Sequence, residues 1–554
     1  MTDREHNDRA FLKLVDDYLD RVWEMWPVSA TAAGVHNYDH DMDHVDRASR
    51  ENFLTFQDQT LRALEEIERR DGLSGENQID LQIFASVLRG SLITDKDYNR
   101  YLLNPCLYPY TALYGCFILI LRDFAPPELR YRSLIARLKE IPRYLMEARD
   151  NLRLSESIPA LWREMAVTVT ASGQRLFSKI IMDLSGQIAG MKNDLLSAAT
   201  LASKAFKNYQ EFLEEELVSK PNRSYACGEE YFNFILREEH RLPYDAGELE
   251  RIGREQVELI SDRLSRAAAA FGPGRDWPQL IDEIKSQTPA AEELSDAYRR
   301  EVARSRAFLA ENDLVSLPAD ESLAIIDTPD FYRSTLPYAA YMPPGAFEKK
   351  QQGFFWVTPV NKELSPDEHR NRLAGHSHAA IELRSVHEGF PGHHLQMVLA
   401  NGSNSKVRRL FMTDVYVEGW ALYCEEMMNE AGYYRHPGAE LIQLKDQLWR
   451  ACRIVIDARL HTERCSFDEA VDMLVTTARL ERPSAVAEVR RYTQSPTQPM
   501  SYLIGKIELE KIITAIGRAK PGIHLKEIHD RLLTCGAIAP TLVSRALLGT
   551  NPAT

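Results

Sequence analysis

The sequence predicts a mainly α-helical protein, a large two-lobed body with a central cleft and a small β element. Three observations predict it. Most segments carry apolar residues at helical spacing, a single stretch carries a clear strand signal, and no solenoid-length repeat or low-complexity tract interrupts the pattern. With 554 residues the chain can bury a large core, and its 44% hydrophobic and 27% charged content excludes wholesale disorder.

In "AFLKLVDDYLDRVWEMWP" the residues Phe11, Leu12, Val15, Leu19, Val22 and Trp23 form one stripe that Pro27 stops, so the opening segment reads as an amphipathic helix. The greasy run "TALYGCFILILRDF", Thr111 to Phe124, is too short and too soon charged to span a bilayer and reads as a buried helix. Helical patterns also run from Glu51 to Arg70, Leu134 to Arg153, Leu195 to Leu217, Ala246 to Phe271 and Glu292 to Glu311. The strand signal is "QGFFWVTPV", Gln352 to Val360, aromatic and β-branched between polar boundaries. Proline marks "PDFYRSTLPYAAYMPPGAF" and "TQSPTQP" as loops, because it removes donors and interrupts helix. An N-terminal lobe over residues 1–240 and a catalytic lobe over 241–554 are expected, with one continuous domain as the alternative.

A formal charge of -14 argues against nucleic acid as a partner, since phosphate neutralisation needs a basic surface. The charged opening "MTDREHNDRAFLKL" lacks the features of a secretory signal, and no membrane partner is expected. Seven scattered cysteines without a C-x-x-C pair suit a reducing compartment, so the expected location is cytoplasmic.

The chemistry concentrates in "SVHEGFPGHHLQ", residues 385 to 396. It begins like the zinc-protease motif H-E-x-x-H, but Pro391 stands where the second histidine belongs. On an unbroken helix advancing about 100° per residue, His393 would point about 120° away from His387, and His394 would share its face roughly 10 Å further on. Neither could join His387 on one ion. Pro391 cannot donate to the carbonyl of His387, and Gly392 tolerates unusual dihedrals, so a bulge or break there could return His393 to the metal side. A chance His-Glu pair on a surface helix is the plain alternative.

Downstream, "DVYVEGWALYCEEMM" places Glu418 and Glu425 on nearly one face among apolar neighbours, where burial demands a partner, a metal being one such, and exposure supplies solvent instead. In "LWRACRIVIDARLHTE" the spacing of Arg450, Arg453, Asp457 and His461 aligns four ionisable groups, forming either a solvated face or the wall of a polar cleft. "RYTQSPTQPMSYLIGKIEL" sets Tyr492, Gln498 and Tyr502 around a proline-rich turn entering a helix. There a tyrosine serves as core, as cap, or as donor to an oxyanion.

The ordered runs "VHEGFPGHHLQ", "VEGWALYCEEM", "RIVIDARLH" and "YTQSPTQPMSYLIGKIEL" resemble the bacterial family called domain of unknown function 885, which is grouped with the glutamate-ligand zinc metallopeptidases. That family's H-E-x-x-P-G-H-x-x-Q pattern is matched by His387, Glu388, Pro391, Gly392, His393 and Gln396, so the proline belongs to it. "SIPALWREMA" and "TPDFYRSTLPYAAYMPP" extend the resemblance over most of the chain. The resemblance implies a helical fold similar to cleft-type zinc metallopeptidases, with His387, His393 and Glu418 as ligands and Glu388 as general base. His394 is the rival second histidine.

The expected function is zinc-dependent hydrolysis of a peptide or small amide substrate, with one Zn2+ per chain or another divalent ion in its place. Tyr502 or His461 would stabilise the oxyanion. Arg450 or Arg453, with Tyr492 nearby, would bind a substrate carboxylate, and the strand "GFFWVTPV" could pair with an extended substrate. Two rival expectations are an amide or ester hydrolase of one small metabolite and a non-catalytic helical binding protein with a structural metal. Retention of Glu388 disfavours the latter, since a structural zinc needs no base.

Overall fold

The opening helix Asp3–Met25 begins at a capping box, in which Thr2 and Glu5 satisfy each other's backbone donors. Phe11, Val15, Leu19 and Trp23 are buried as the stripe requires, whereas Leu12 is 51% exposed and belongs to the outer face. Pro27 does more than stop this helix: it occupies the first turn of the next one, Pro27–Ala33, where its missing donor costs nothing. The computed structural model describes residues 2–549 apart from 71, 181–183, 185–188, 334 and 362–363. Among them the protein is mainly helical, with one small sheet.

The chain divides into two compact units, Met1–Tyr225 with Asp330–Tyr332 and Gly345–Lys350, and Ala226–Pro329 with Arg333–Pro344 and Gln351–Thr554. The division comes before residue 240 because Phe232 and Leu236, on helix Glu229–Glu238, are buried in the core of the second unit. In the first unit the greasy run forms helix Leu107–Leu121, whose Leu113, Cys116 and Leu119 lie in the core with Leu134, Leu138 and Ile141 of helix Pro127–Leu154. No single helix among the described residues is long and apolar enough to cross a membrane.

In the second unit the expected helix Ala246–Phe271 is observed, capped by Asp245. Its Gly253 allows close approach of helix Ala439–His461, since a Cβ there would lie 2.8 Å from a Val455 methyl. The sheet has three strands rather than one: β1 Glu321–Asp327, β2 Ala339–Met342 and β3 Gln351–Val357, in the order β1-β3-β2. β1 is parallel to β3 with Ile325 beside Phe355, and β2 is antiparallel with Tyr341 beside Phe355. β2 lies inside the expected proline-rich loop; Ser334 of that loop is outside the described residues. The expectation that β3 could receive a substrate backbone fails, because it is the central strand and both its edges are paired.

Helices Asp414–Glu430 and Gln498–Ala519 cross where two glycines meet. A Cβ on Gly419 would lie 2.4 Å from the Gly505 carbonyl carbon, and one on Gly505 would lie 1.8 Å from the Val415 carbonyl oxygen. This crossing sets Glu418 and Tyr502 into one pocket.

Candidate metal centre

His387 and Glu388 stand in a turn of π-helix, Ser385–Gly389, that widens the end of helix His378–Arg384. The chain breaks at Phe390 and Pro391 and restarts as helix His393–Asn401. Gly392 donates to the Val386 carbonyl at 3.0 Å, and a Cβ at this position would fall 1.9 Å from the His387 carbonyl oxygen. The motif therefore needs glycine there to fold back over its own turn.

That return brings His393 Nε2 to 3.2 Å and His387 Nε2 to 3.6 Å from Glu418 Oε2. One ligand atom from each of the three lies within 4.8 Å of the others, the only such cluster of candidate metal-holding residues among the described ones. Ligands about 2.0–2.2 Å from a tetrahedral ion stand roughly 3.3–3.6 Å apart, so the trio fits one ion with small side-chain shifts. Glu418 Oε2 and His393 Nδ1 are buried without a hydrogen-bond partner. The two imidazoles offset the Glu418 charge only through contacts of 3.2 and 3.6 Å without an aligned hydrogen bond, and a cation among the three would neutralise it directly.

The surrounding groups fix the orientation. Glu425 Oε1 lies 2.8 Å from His387 Nδ1, which turns Nε2 toward the trio, and Gln498 donates to Glu418 Oε1 at 3.2 Å. Burial disfavours charge on His387, but Glu418 and Glu425 overcome it and raise its pKa to about 10. Burial likewise opposes the Glu418 carboxylate, yet His393 and His387 hold its pKa well below the usual range. His394 is engaged elsewhere: Nε2 lies 2.8 Å from Glu321 Oε2 and Nδ1 lies 3.0 Å from the Tyr341 hydroxyl.

The trio opens into a pocket of about 290 Å³ whose wall includes Glu388, Tyr502, Trp449, Arg450, Arg453 and β2 residues Ala339 to Tyr341. Tyr502 stacks on His387, with ring centroids 6.1 Å apart, and burial pushes its phenol up to about 12. It is therefore a neutral donor near the ligands. Arg450 lines the same pocket and donates to the Asp446 carbonyl at 3.1 Å.

The stripe on helix Ala439–His461 is neither wholly solvated nor wholly a pocket wall. Its outer half, Arg450 and Arg453, faces the pocket; its inner half is buried. Asp457 accepts from the backbone of Thr497 at 3.2 Å and Met500 at 3.1 Å, so it caps the helix that carries Tyr502. His461, expected as an oxyanion donor, is fully buried against the Tyr492 carbonyl at 3.0 Å and is not part of the pocket lining. Burial lowers its pKa to about 4, so a neutral ring donates there. Tyr492, expected to touch substrate, is also fully buried; its hydroxyl accepts from Arg453 Nε at 2.7 Å and orients that guanidinium.

Sequence reasoning set Glu425 beside Glu418 by their seven-residue spacing but gave it no role, and it missed several other residues. Glu488 and Arg491, three apart on helix Arg482–Tyr492, form an ion pair at 3.0 Å that a charge-spacing rule could have found. His240 carried no such signal: buried and neutral, it lies 2.7 Å from Thr413 Oγ1 and 2.9 Å from Thr497 Oγ1, bracing the starts of the helices that carry Glu418 and Tyr502.

No curated protein matches the chain. Several solved chains share the fold, two among them nearly end to end. One, described as a "putative lipoprotein of unknown function" from Shewanella oneidensis, is 24% identical with a TM-score of 0.78 and is matched over 97% of this chain and 99% of that one. The other, a "putative lipoprotein" from Colwellia psychrerythraea, is 17% identical with a TM-score of 0.82, over 97% and 98%. These descriptions overturn the cytoplasmic expectation: the fold occurs nearly end to end in chains described as lipoproteins, so scattered cysteines and a charged opening do not locate it. The model of the family described as "Bacterial protein of unknown function (DUF885)" matches residues 27–547, and the chain belongs to that family.

Proposed function

We propose that this chain is a zinc-dependent hydrolase that cleaves a peptide or other amide bond with water. The observation that carries the reading is the convergence of His387 Nε2, His393 Nε2 and the unpartnered Glu418 Oε2 beside a pocket that also receives Glu388. Two imidazoles and a carboxylate are a donor set suited to catalytic zinc, and three ligands leave one position open. A structural site is closed by four, so the binding-protein reading is disfavoured. The proposed kinship with glutamate-ligand, cleft-type zinc peptidases rests on the same three residues.

When bound, the ion supplies Lewis acidity toward a water and a substrate carbonyl. Glu388 accepts the proton from the attacking water and passes it to the leaving nitrogen. Tyr502 donates its phenolic hydrogen to the developing oxyanion, a task suited to a phenol held neutral. Glu425 holds the His387 ring in place throughout, and Gln498 does the same for Glu418. An extended substrate would pair with β2, which is an edge strand among the described residues and whose residues line the pocket.

A second reading, a dedicated amide or ester hydrolase of one small metabolite, is favoured by the pocket's volume of about 290 Å³, which admits a short substrate. One experiment separates them. Zinc-loaded and chelated protein are incubated with a defined peptide library and analysed by mass spectrometry. Peptide cleavage by the loaded protein alone is the expected result. Cleavage that survives chelation contradicts the zinc requirement, and an uncleaved library moves the reading to the metabolite hydrolase.

A further inference from the structure

Glu488 Oε2 accepts from Arg453 Nη2 and from Arg491 Nη2, each at 3.0 Å, so two guanidiniums share one carboxylate. Their other hydrogen-bond partners are neutral: Arg453 Nε donates to Tyr492, and Arg491 Nη1 donates to Gln498 at 2.7 Å. The trio of two guanidiniums and one carboxylate therefore carries one net positive charge. Arg453 is 3% exposed, yet its Nη1 has no hydrogen-bond partner. Its plane is fixed between two rings, 4.2 Å from the Trp449 centroid and 4.5 Å from that of Tyr502. A rigid, desolvated guanidinium with a spare donor and no counter-charge of its own is built to meet an anion.

We propose that Arg453, backed by Arg491 across Glu488, receives a free carboxylate of the substrate, so that the substrate class is short chains cut next to their C-terminal end. The proposal rests on the hydrolase reading and narrows it. Distance supports the class. Arg453 lies 4.5 Å from Tyr502, and Tyr502 lies 6.1 Å from the His387 ring. These two steps keep the guanidinium within about 11 Å of the His387 ring, so at about 3.3–3.6 Å per extended residue no more than roughly three residues fit between the anion subsite and the metal ligands. Arg450, on the same wall, pairs with Asp446 at 3.6 Å and adds positive potential; its Nε is also unpartnered, and unlike Arg453 it has no second guanidinium among the described residues sharing its carboxylate.

The test uses zinc-loaded full-length protein and an uncleavable probe, N-acetyl-alanyl-phenylalanine with its scissile carbonyl reduced to methylene, prepared as the free acid and as the C-terminal carboxamide. Binding of the acid at least about tenfold tighter than the amide is expected, and Arg453→Met should remove most of that difference. Arg453→Lys, which keeps the charge without the fork, should retain part of it. Equal binding of acid and amide by the wild-type protein overturns the proposal without reference to any variant. So does an acid preference that Arg453→Met leaves intact in protein that melts normally. Turnover of the ordinary peptide acid is measured beside it: an acid preference in binding without any cleavage leaves the anion subsite standing and removes the peptide-hydrolase reading.

Discussion

Glu388→Gln protein keeps its zinc and its melting temperature and loses turnover by on the order of a hundredfold to ten-thousandfold. Glu388 lies in the widened turn beside His387 and lines the pocket, but it is not one of the three residues that converge as ligands. Glutamine fills the same space and cannot accept the proton of the attacking water. Metal content therefore separates this role from that of a ligand, since a ligand substitution would lower both occupancy and rate. Activity within about twofold of wild type would show that the reaction does not use this carboxylate as its base.

Gly505→Ala destabilises the protein by about 3 kcal/mol, although alanine is the better helix former. The added methyl would lie 1.8 Å from the Val415 carbonyl oxygen, a backbone atom that cannot rotate away, so the two helices must separate. Glu418 rides on one of them and Tyr502 on the other, and metal affinity should fall with stability. Gly517, on the same helix, has nothing within 4 Å of its Cβ position, and Gly517→Ala should stabilise by roughly 0.5–1 kcal/mol. Thermal or denaturant unfolding of the pair checks the sign of each. Equal effects would mean that the close crossing does not constrain the fold.

The parts legible in the sequence are those whose cause is local. The amphipathic stripe of Asp3–Met25, the helix Ala246–Phe271 and the break forced by Pro391 and Gly392 all follow from spacing and from the backbone properties of two residues. Leu12 was misplaced because a stripe drawn from periodicity cannot tell an inner margin from an outer one. β2 was hidden by the prolines around it, and its pairing with β3 is a long-range fact that no local window carries. The site divides in the same way. His387, Glu388 and His393 share one motif with short spacing, whereas Glu418 comes from a separate helix downstream and the fate of His394 depends on Glu321 and Tyr341, distant in sequence. The stripe on Ala439–His461 was aligned correctly by its periodicity, but only the turn after Tyr492 shows that Asp457 and His461 pin backbone while Arg453 faces the pocket.

The central claim is that His387, His393 and Glu418 hold one zinc ion, and a calorimetric zinc titration in buffers of different ionisation enthalpy tests it most directly. Without metal, His387 keeps its proton at neutral pH, because Glu418 and Glu425 overcome the effect of burial and raise its pKa to about 10. Zinc needs the neutral ring, so binding must displace that proton. The account predicts one zinc per chain with at least one proton released at pH 7, loss of tight binding in His393→Ala, and retention of it in His394→Ala. Undiminished binding by His393→Ala, or binding without proton release, would contradict it.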